Sequence, residues 1–491
     1  MADKAHFEKT LLLTAGQAVG VGLSFMIPIL LSRWLTVEDY GIYKQIFFIH
    51  GLLLLTVHMG MDWGLFYFIK RNPQRAGVYS LNVVLTDLAL AMVVAGVAYL
   101  FRREIASELK SPGLETLIPA FIPFVVFSVP THHFNHLLVV RDRMKAAVVL
   151  TIAFELAKTL IIVGGYFFSH SLAFVLVSLG GLAVVRLSIH LGYNIVLIRS
   201  ARLRFLDLRR SIVEQVRYAI PLGFTNLLSL CLKMDKFLVS AFFGLRAFTI
   251  YSVGCFEVPM VESTIITMND LMSFDMVEAR ARGDREVIHF LWRSTLRKIT
   301  LFHLPVAIFM IAFSGLVIPA LYTDTYAESV AYFRFFSVLF FVSQFVPDVV
   351  FRVFARNKTQ LVLQGIAGVY TIAIVVAMGL RFGPLGILGG KIVADTLSML
   401  IKLSALRAII QISWRELIPW RDLGVILGGA IFCALITHVV VDPIPLPGLL
   451  AVPLAFAFYA GFNILVATQT GALRSDEIAY FKDRLKGRET N

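Results

Sequence analysis

Four basic residues stand in apolar stretches with no acid three or four positions away: Arg186, Lys233, Lys236 and Arg334. Side chains at that spacing share a helix face and would neutralise one another. Near the centre of a bilayer a charge costs about 2.5–3.5 kcal/mol on insertion scales, so each of these cations needs a counter-ion. A phosphate-bearing ligand supplies one, because arginine presents a planar fork of donors to phosphate and lysine a mobile point charge. Lys233 and Lys236 are three apart and are expected on one face, where they repel unless an anion meets them. Lys158 and Lys391 are expected beside this set, although Glu155 and Asp395 lie within helical reach of them. Asp348 and Arg352 make a third same-helix pair, and Lys402 is close enough to a span end to snorkel. The expectation is a wet cationic cavity between two helical lobes.

Three acids complete the set: Asp87, Asp235 and Glu257. They are expected as counter-charges to the cavity lysines or as the site of a coupling ion, since a buried carboxylate is a usual proton handle. A proton gradient, a sodium gradient or the membrane potential would then drive the protein. Among the histidines, His132 and His136 are four apart with His133 between them, and His58 is four from Asp62. Two histidines without a carboxylate or cysteine in sequence reach make a poor metal site, so a cavity-lining or interfacial role is expected. Cys231, Cys255 and Cys433 sit in apolar segments without CxxC spacing and are expected as free thiols. No metal and no cofactor is expected.

Such charges need elements to hold them at depth. The chain has 491 residues, 58% of them hydrophobic and only 16% charged, with mean hydropathy +0.79. A soluble domain is nearer half apolar and a quarter charged. The apolar residues come in continuous blocks of twenty or more, which read as membrane-spanning helices rather than as alternating barrel strands. Fourteen spans are expected, from 10–32 to 448–468, in an all-α polytopic membrane protein. The first block, after MADKAHFEK, reads as a helix rather than a cleaved signal. With the N-terminus inside, 31 of the 45 lysines and arginines fall on inside loops, tails and adjoining span ends, against 7 outside. That asymmetry puts both termini in the cytoplasm and accounts for most of the +13 formal charge, so no nucleic-acid partner is implied. Segments 199–217 and 278–298 are basic and amphipathic and are expected to lie along the inner leaflet.

The chain also repeats itself. LSRWLTVEDYGIYK (31–44) registers without a gap on VSAFFGLRAFTIYS (239–252), placing Ser32 on Ser240, Tyr40 on Phe248, Ile42 on Ile250 and Tyr43 on Tyr251. The first copy joins spans one and two and the second joins spans seven and eight, so both have one orientation. This predicts a parallel repeat: a six-helix lobe at 1–198, a basic linker at 199–217, a second six-helix lobe at 218–410, and a two-helix hairpin with a tail at 411–491. Transporters built from such halves carry their substrate at the repeat interface by alternating access.

LSRWLTVEDYGIYK resembles a signature of the polysaccharide transporter family, within the superfamily of multidrug, oligosaccharidyl-lipid and polysaccharide exporters. KMDKFLVSAFFGLRAFTIYSVG, ARARGDREVIHFL and PALYTDTYAESVAYFRFFS are similar to that family's seventh helix, its A-x-G-D loop and its entry to helix ten. The resemblance covers spans one to ten. It implies a flippase that moves an oligosaccharide on undecaprenyl pyrophosphate from the inner to the outer leaflet of the cytoplasmic membrane. The glycan would serve exopolysaccharide, capsule or O-antigen synthesis. Membrane lipids and a polysaccharide polymerase or other synthesis-complex protein are the expected partners. Fourteen spans also resemble the lipid II flippase branch, in whose fourteen-helix members the extra hairpin forms a groove for the lipid tail; a plain lipid-facing hairpin is the competing view here.

Two other functions compete. A drug or cation exporter of the same superfamily would want acids to outnumber bases in the core, whereas here unpaired cations suit an anionic cargo. A sugar-transferring membrane enzyme would need larger outside loops, a DxD motif, a phosphate-cradling glycine loop or a nucleophile–base arrangement, and none is present. A purely structural partner of a synthesis complex is a third reading, against which the charged midplane of a duplicated chain argues. The sequence predicts a transporter rather than an enzyme.

Overall fold

The computed structural model describes residues 16, 19–58, 60–200, 205–256 and 258–473, and the regular structure among them is helical throughout. In lipid the backbone must satisfy its own hydrogen bonds, and long apolar blocks do so as helices. Packing divides the chain into two compact units, Met1–Thr249 and Ile250–Asn491. Among the described residues eleven helices are long and apolar enough to cross a membrane.

The first unit holds α1 (Val19–Leu31), α2 (Val37–Val57), α3 (Met61–Arg71), α4 (Ala76–Leu100), α5 (Pro112–Ser128), α6 (Phe134–Val140), α7 (Met144–Thr159), α8 (Leu172–Ser200), α9 (Phe205–Cys231) and most of α10 (Asp235–Gly254). The second holds α11 (Pro259–Arg282), α12 (Arg285–Ala312), α13 (Ser314–Tyr322), α14 (Ser329–Ser337), α15 (Asp348–Val353), α16 (Asn357–Ile410), α17 (Trp420–Val441) and α18 (Gly448–Gln469). Helix α16 is 54 residues long and folds back at Gly383, whose φ of 69° no ordinary helix permits. It therefore supplies the eleventh and twelfth expected spans.

Several expected spans are interrupted, four of them at paired positions of the repeat. The second expected span breaks between α2 and α3 around His58, and the fourth between α5 and α6 over Val129–His133. The eighth breaks between α10 and α11, and the tenth between Ser343 and Asp348. Spans two and eight, and four and ten, are repeat equivalents, so these four interruptions obey the duplication; spans seven and nine are broken as well, at Leu232–Met234 and at Phe313. The repeat is also visible in burial. Ser32, Tyr40, Ile42 and Tyr43 of the first copy and Ser240, Phe248, Ile250 and Tyr251 of the second are all at most 8% exposed. The copies touch inside the first unit: Gln45 donates to the Ser240 hydroxyl at 2.7 Å, and Phe48 and Phe248 rings lie 6.1 Å apart. Gly41 meets its own repeat partner, because a Cβ added there would lie 2.1 Å from Thr249 Oγ1.

Three sequence expectations are corrected. Residues 278–298 are not one surface helix but two helix ends: α11 stops before Gly283, which takes a left-handed φ of 72°, and Asp284 caps α12 by accepting from the Val287 amide at 3.1 Å. The glycine–aspartate pair of ARARGDREV is thus a helix stop followed at once by a helix start. The linker also does not end at 217, because α9 runs from Phe205 straight into the seventh span. Its inward face carries buried Ser211 and Gln215, which accept from the Asn82 side chain at 3.1 and 2.8 Å and tie it to α4. Lastly, Asp348 pairs with Lys402 of α16 at 2.9 Å, across helices rather than along its own.

Close approach through small residues, more than hydrophobic transfer, holds helices together in lipid. The arms of α16 show it: a Cβ on Gly386 would lie 2.1 Å from the Met378 carbonyl oxygen, a backbone atom that cannot turn aside. Gly386→Ala should lower stability by about 1–3 kcal/mol, read as a lower apparent Tm of the detergent-purified protein. Gly96→Ala, on an open face of α4 with nothing within 4 Å, should leave it unchanged or raise it, since alanine is the better helix former. Asp284→Ala should cost about 1 kcal/mol through the lost cap.

Candidate functional site

The broken helices of the first unit bring polar side chains into an interior that unbroken apolar helices would fill with aliphatics. At the α2–α3 break His58 Nδ1 lies 2.9 Å from Asp87 Oδ2 of α4, and the two side chains are 6% and 0% exposed. The ring of His132, from the α5–α6 break, packs on His58 at 5.0 Å. The adjacent His133 meets His190 of α8 at 4.8 Å, and Ser80 of α4 sits 3.1 Å from His190 Nε2 and 3.5 Å from His133 Nε2. Two turns before His58 on α2, His50 shares a 3.1 Å hydrogen bond with Ser128. His132 lies in the turn ahead of α6, so it and His136 do not share one uninterrupted helical face as the spacing had suggested.

Arg186 stands one helical turn before His190 on α8. Its guanidinium lies over the Phe154 ring at 5.3 Å, a cation–π contact, and its buried Nε has no hydrogen-bond partner among the described residues. It is in electrostatic reach of Glu155, His132 and His190. Lys158 pairs with Glu155 one turn away, and both meet Ser24 of α1, which donates to Glu155 at 2.8 Å and accepts from Lys158 at 3.1 Å. Lys158 in turn reaches His50, and His50 reaches His58. Arg186, Lys158 and Asp87, which are far apart in sequence, thus belong to one network within the first unit. It carries two cationic side chains, two carboxylates and a run of histidines, groups suited to holding an anion and moving a proton.

The remaining expected site residues stand elsewhere. Lys233 falls in the turn Leu232–Met234 that separates α9 from α10, its amide donating to the Leu230 carbonyl at 2.9 Å. It does not share a helical face with Lys236, because the helix carrying Lys236 begins only at Asp235; the face-to-face repulsion argument fails there. Asp235, 8% exposed, is the first residue of α10, where a carboxylate complements the helix dipole. In the second unit Arg334 is exposed and donates from Nε to Ser314 Oγ at 2.6 Å, so it has a partner that helical spacing could not reveal. Lys391 pairs with Asp395 at 3.2 Å on its own helix. Glu257 lies outside the described residues.

Sequence reasoning missed His58 as the partner of Asp87, and missed His190 altogether. The signal was present for the first: His58 is followed by Met-Gly, and Gly60 takes a left-handed φ of 78° at the break. A histidine beside a glycine inside a span marks a possible interruption. His190 gave none, since a lone histidine on a helix most often packs structurally.

Comparison with known proteins follows from this geometry. No curated protein matches the sequence. Among solved structures, the lipid II flippase MurJ in an inward closed conformation superposes with TM-score 0.68 at 12% identity, covering 94% of this chain and 99% of that one. A multidrug resistance MATE family transporter of the MOP superfamily, inward-facing, gives 0.60 at 14% identity over 80% and 95%. A MOP superfamily transporter from Pyrococcus furiosus, described as having a binding pocket of reversed polarity, gives 0.54 at 11% over 82% and 94%. At such identities these likenesses establish the fold. The sequence profile of one family, described as polysaccharide biosynthesis protein, matches residues 30–331. That match takes in both copies of the repeat, the broken helices of the first unit and the histidine–arginine network, and the chain belongs to the polysaccharide biosynthesis protein family.

Proposed function

We propose that this multi-pass membrane protein is a flippase. Its cargo is an oligosaccharide linked to undecaprenyl pyrophosphate, carried from the inner to the outer leaflet of the cytoplasmic membrane for exopolysaccharide, capsule or O-antigen synthesis. Both termini face the cytoplasm, and the protein works by alternating access rather than covalent chemistry. Family membership and a fold shared with a lipid II flippase support the transport role. The observation that carries the choice of an anionic cargo is Arg186, a cation held inside a helical unit by an aromatic face, with a buried donor left open. Glu155 lies close enough to moderate its charge but is already bonded to Lys158 and Ser24. A pyrophosphate oxygen would complete Arg186 and make its charge-assisted bond the strong one.

Interrupted helices at membrane depth are tolerated where they line a cavity or are buried in protein, and in transporters they mark binding sites. We read the breaks around His58 and Val129–His133 in that way. The buried His58–Asp87 pair is proposed as the coupling site, taking up one proton when the site faces the proton-rich side and releasing it on the other.

Cells depleted of the protein should accumulate complete lipid-linked repeat units on the cytoplasmic side, inaccessible to an outside-added probe. Finished units reaching the outer leaflet without another carrier would refute the flippase. Arg186→Gln should reduce transport about 10- to 100-fold at unchanged membrane abundance, the loss expected of one charge-assisted bond. Arg186→Lys should recover only part, since it restores charge without the fork. Asp87→Asn with His58→Gln should abolish dependence on the proton gradient in reconstituted vesicles; if that dependence persists, coupling resides elsewhere.

A further inference from the structure

Away from that network, one face of α12 carries two chemistries in sequence. Arg293 and Arg297 lie on it a turn apart, and Leu301 and Pro305 continue it at the same four-residue spacing. The arginine end opens into a cavity of about 430 Å³ that also receives Arg415, Trp420 and Arg421 from the approach to α17. Four guanidinium groups thus face one space with two carboxylates, Glu416 and Asp422. The Glu416 carboxylate is already engaged: it accepts from the Ser413 hydroxyl at 2.7 Å in the cap of its own short helix. Those Ser413 hydrogen bonds hold its carboxyl below the ordinary range, so it stays ionised and committed to the cap. The pocket keeps a cationic excess of two.

The apolar end opens into a second cavity, of about 300 Å³, between α12, α17 and α18. Its walls are aliphatic and aromatic, with Phe302, Pro305, Ile426 and Phe456 among them. Tyr459 turns its hydroxyl away to donate to the Pro305 carbonyl at 2.9 Å, leaving its ring to the groove. The two spaces meet at Arg297, which is 4% exposed and donates to the carbonyl of Ala472, a residue that itself lines the groove. By the positive-charge asymmetry, the arginine end lies on the cytoplasmic side.

We infer that this face binds one anionic phospholipid of the inner leaflet, its phosphate among Arg293, Arg415 and Arg421 and an acyl chain in the groove between α12 and the last two helices. Charge complementarity selects the headgroup, since basic pockets between membrane helices on this side hold anionic lipid heads. Continuity with the groove selects a lipid over a soluble phosphate. Trp420, 62% exposed at the junction, suits the headgroup level where amphipathic rings settle. The site is separate from the cargo network of the first unit and does not depend on what the cargo is.

Purified full-length protein in neutral detergent can be titrated, by native mass spectrometry, with phosphatidylglycerol, with phosphatidylcholine of the same chains, and with chainless glycerophosphoglycerol. Phosphatidylglycerol should saturate one site at least about tenfold more tightly than phosphatidylcholine, and glycerophosphoglycerol should not compete. Arg293→Gln with Arg415→Gln and Arg421→Gln should remove that preference without changing Tm in the absence of lipid, and the milder Arg421→Gln alone should weaken it. Ala460→Phe, which fills the groove, should weaken both lipids. Equal affinity for the two lipids, or an arginine variant that keeps the preference, overturns the proposal. Displacement by glycerophosphoglycerol would make it a soluble-anion site, and stronger binding of a polyprenyl phosphate would give the groove to the cargo's own tail; either result also overturns it.

Discussion

A helix in a bilayer may stop only where protein supplies what water would have supplied. Much of this structure follows from that rule. At the first break the His58 amide still reaches the Leu54 carbonyl at 3.2 Å, and the Met61 amide takes the His58 carbonyl at 2.8 Å. At the second, the His132 amide donates to Val129 at 3.1 Å and Leu137 to His133 at 3.0 Å. The turns are tight because no solvent is there to relax them. Once the backbone is closed, side chains at the break can point inward, and these are the histidines. The breaks thus add His58, His132 and His133 to a network whose other members, among them Asp87, Lys158, Arg186 and His190, stand on helices.

The same rule sorts the buried charges. Lys391 with Asp395, Lys402 with Asp348 and Lys158 with Glu155 each bring their own counter-ion, two along a helix and one across helices. Such pairs offset the cost of burial and ask for no ligand. Arg334 settles on a serine hydroxyl. Arg186 differs because its neighbours are an aromatic face, other basic rings and a carboxylate already committed elsewhere. Spacing along one helix therefore overstates how many intramembrane charges lack a partner, since Lys402 and Arg334 find theirs on other helices.

Sequence conveyed the repeat, the helical class and the same-helix pairs well, because each rests on periodicity or on spacing along one element. Ser32 with Ser240 and Tyr43 with Tyr251 register in sequence, and all four are buried in the fold. It conveyed contacts between helices poorly. His58 and Asp87 are 29 residues apart, and Lys402 and Asp348 are 54 apart, and no helical period links either pair. It also treated spans as continuous rods. That assumption misplaced Lys233 beside Lys236, joined His132 to His136, and turned the Gly283–Asp284 turn into a surface helix. A break is a local event decided by what packs around it, and a hydropathy average smooths it away.

The interruptions recur in both copies of the duplicated chain, but their contents do not. Around the α2–α3 and α5–α6 breaks stand His58, His132 and His133; the corresponding interruptions in the second copy carry Cys255, Phe256, Gln344 and Phe345 among their described residues. One backbone device has been furnished twice, with imidazole rings in the first copy and, among the described residues of the second, with a thiol, an amide and aromatic rings. Among the described residues the paired breaks are alike in backbone and unlike in side-chain chemistry. Side-chain chemistry at the breaks can therefore diverge between the copies while the backbone plan that carries it stays the same.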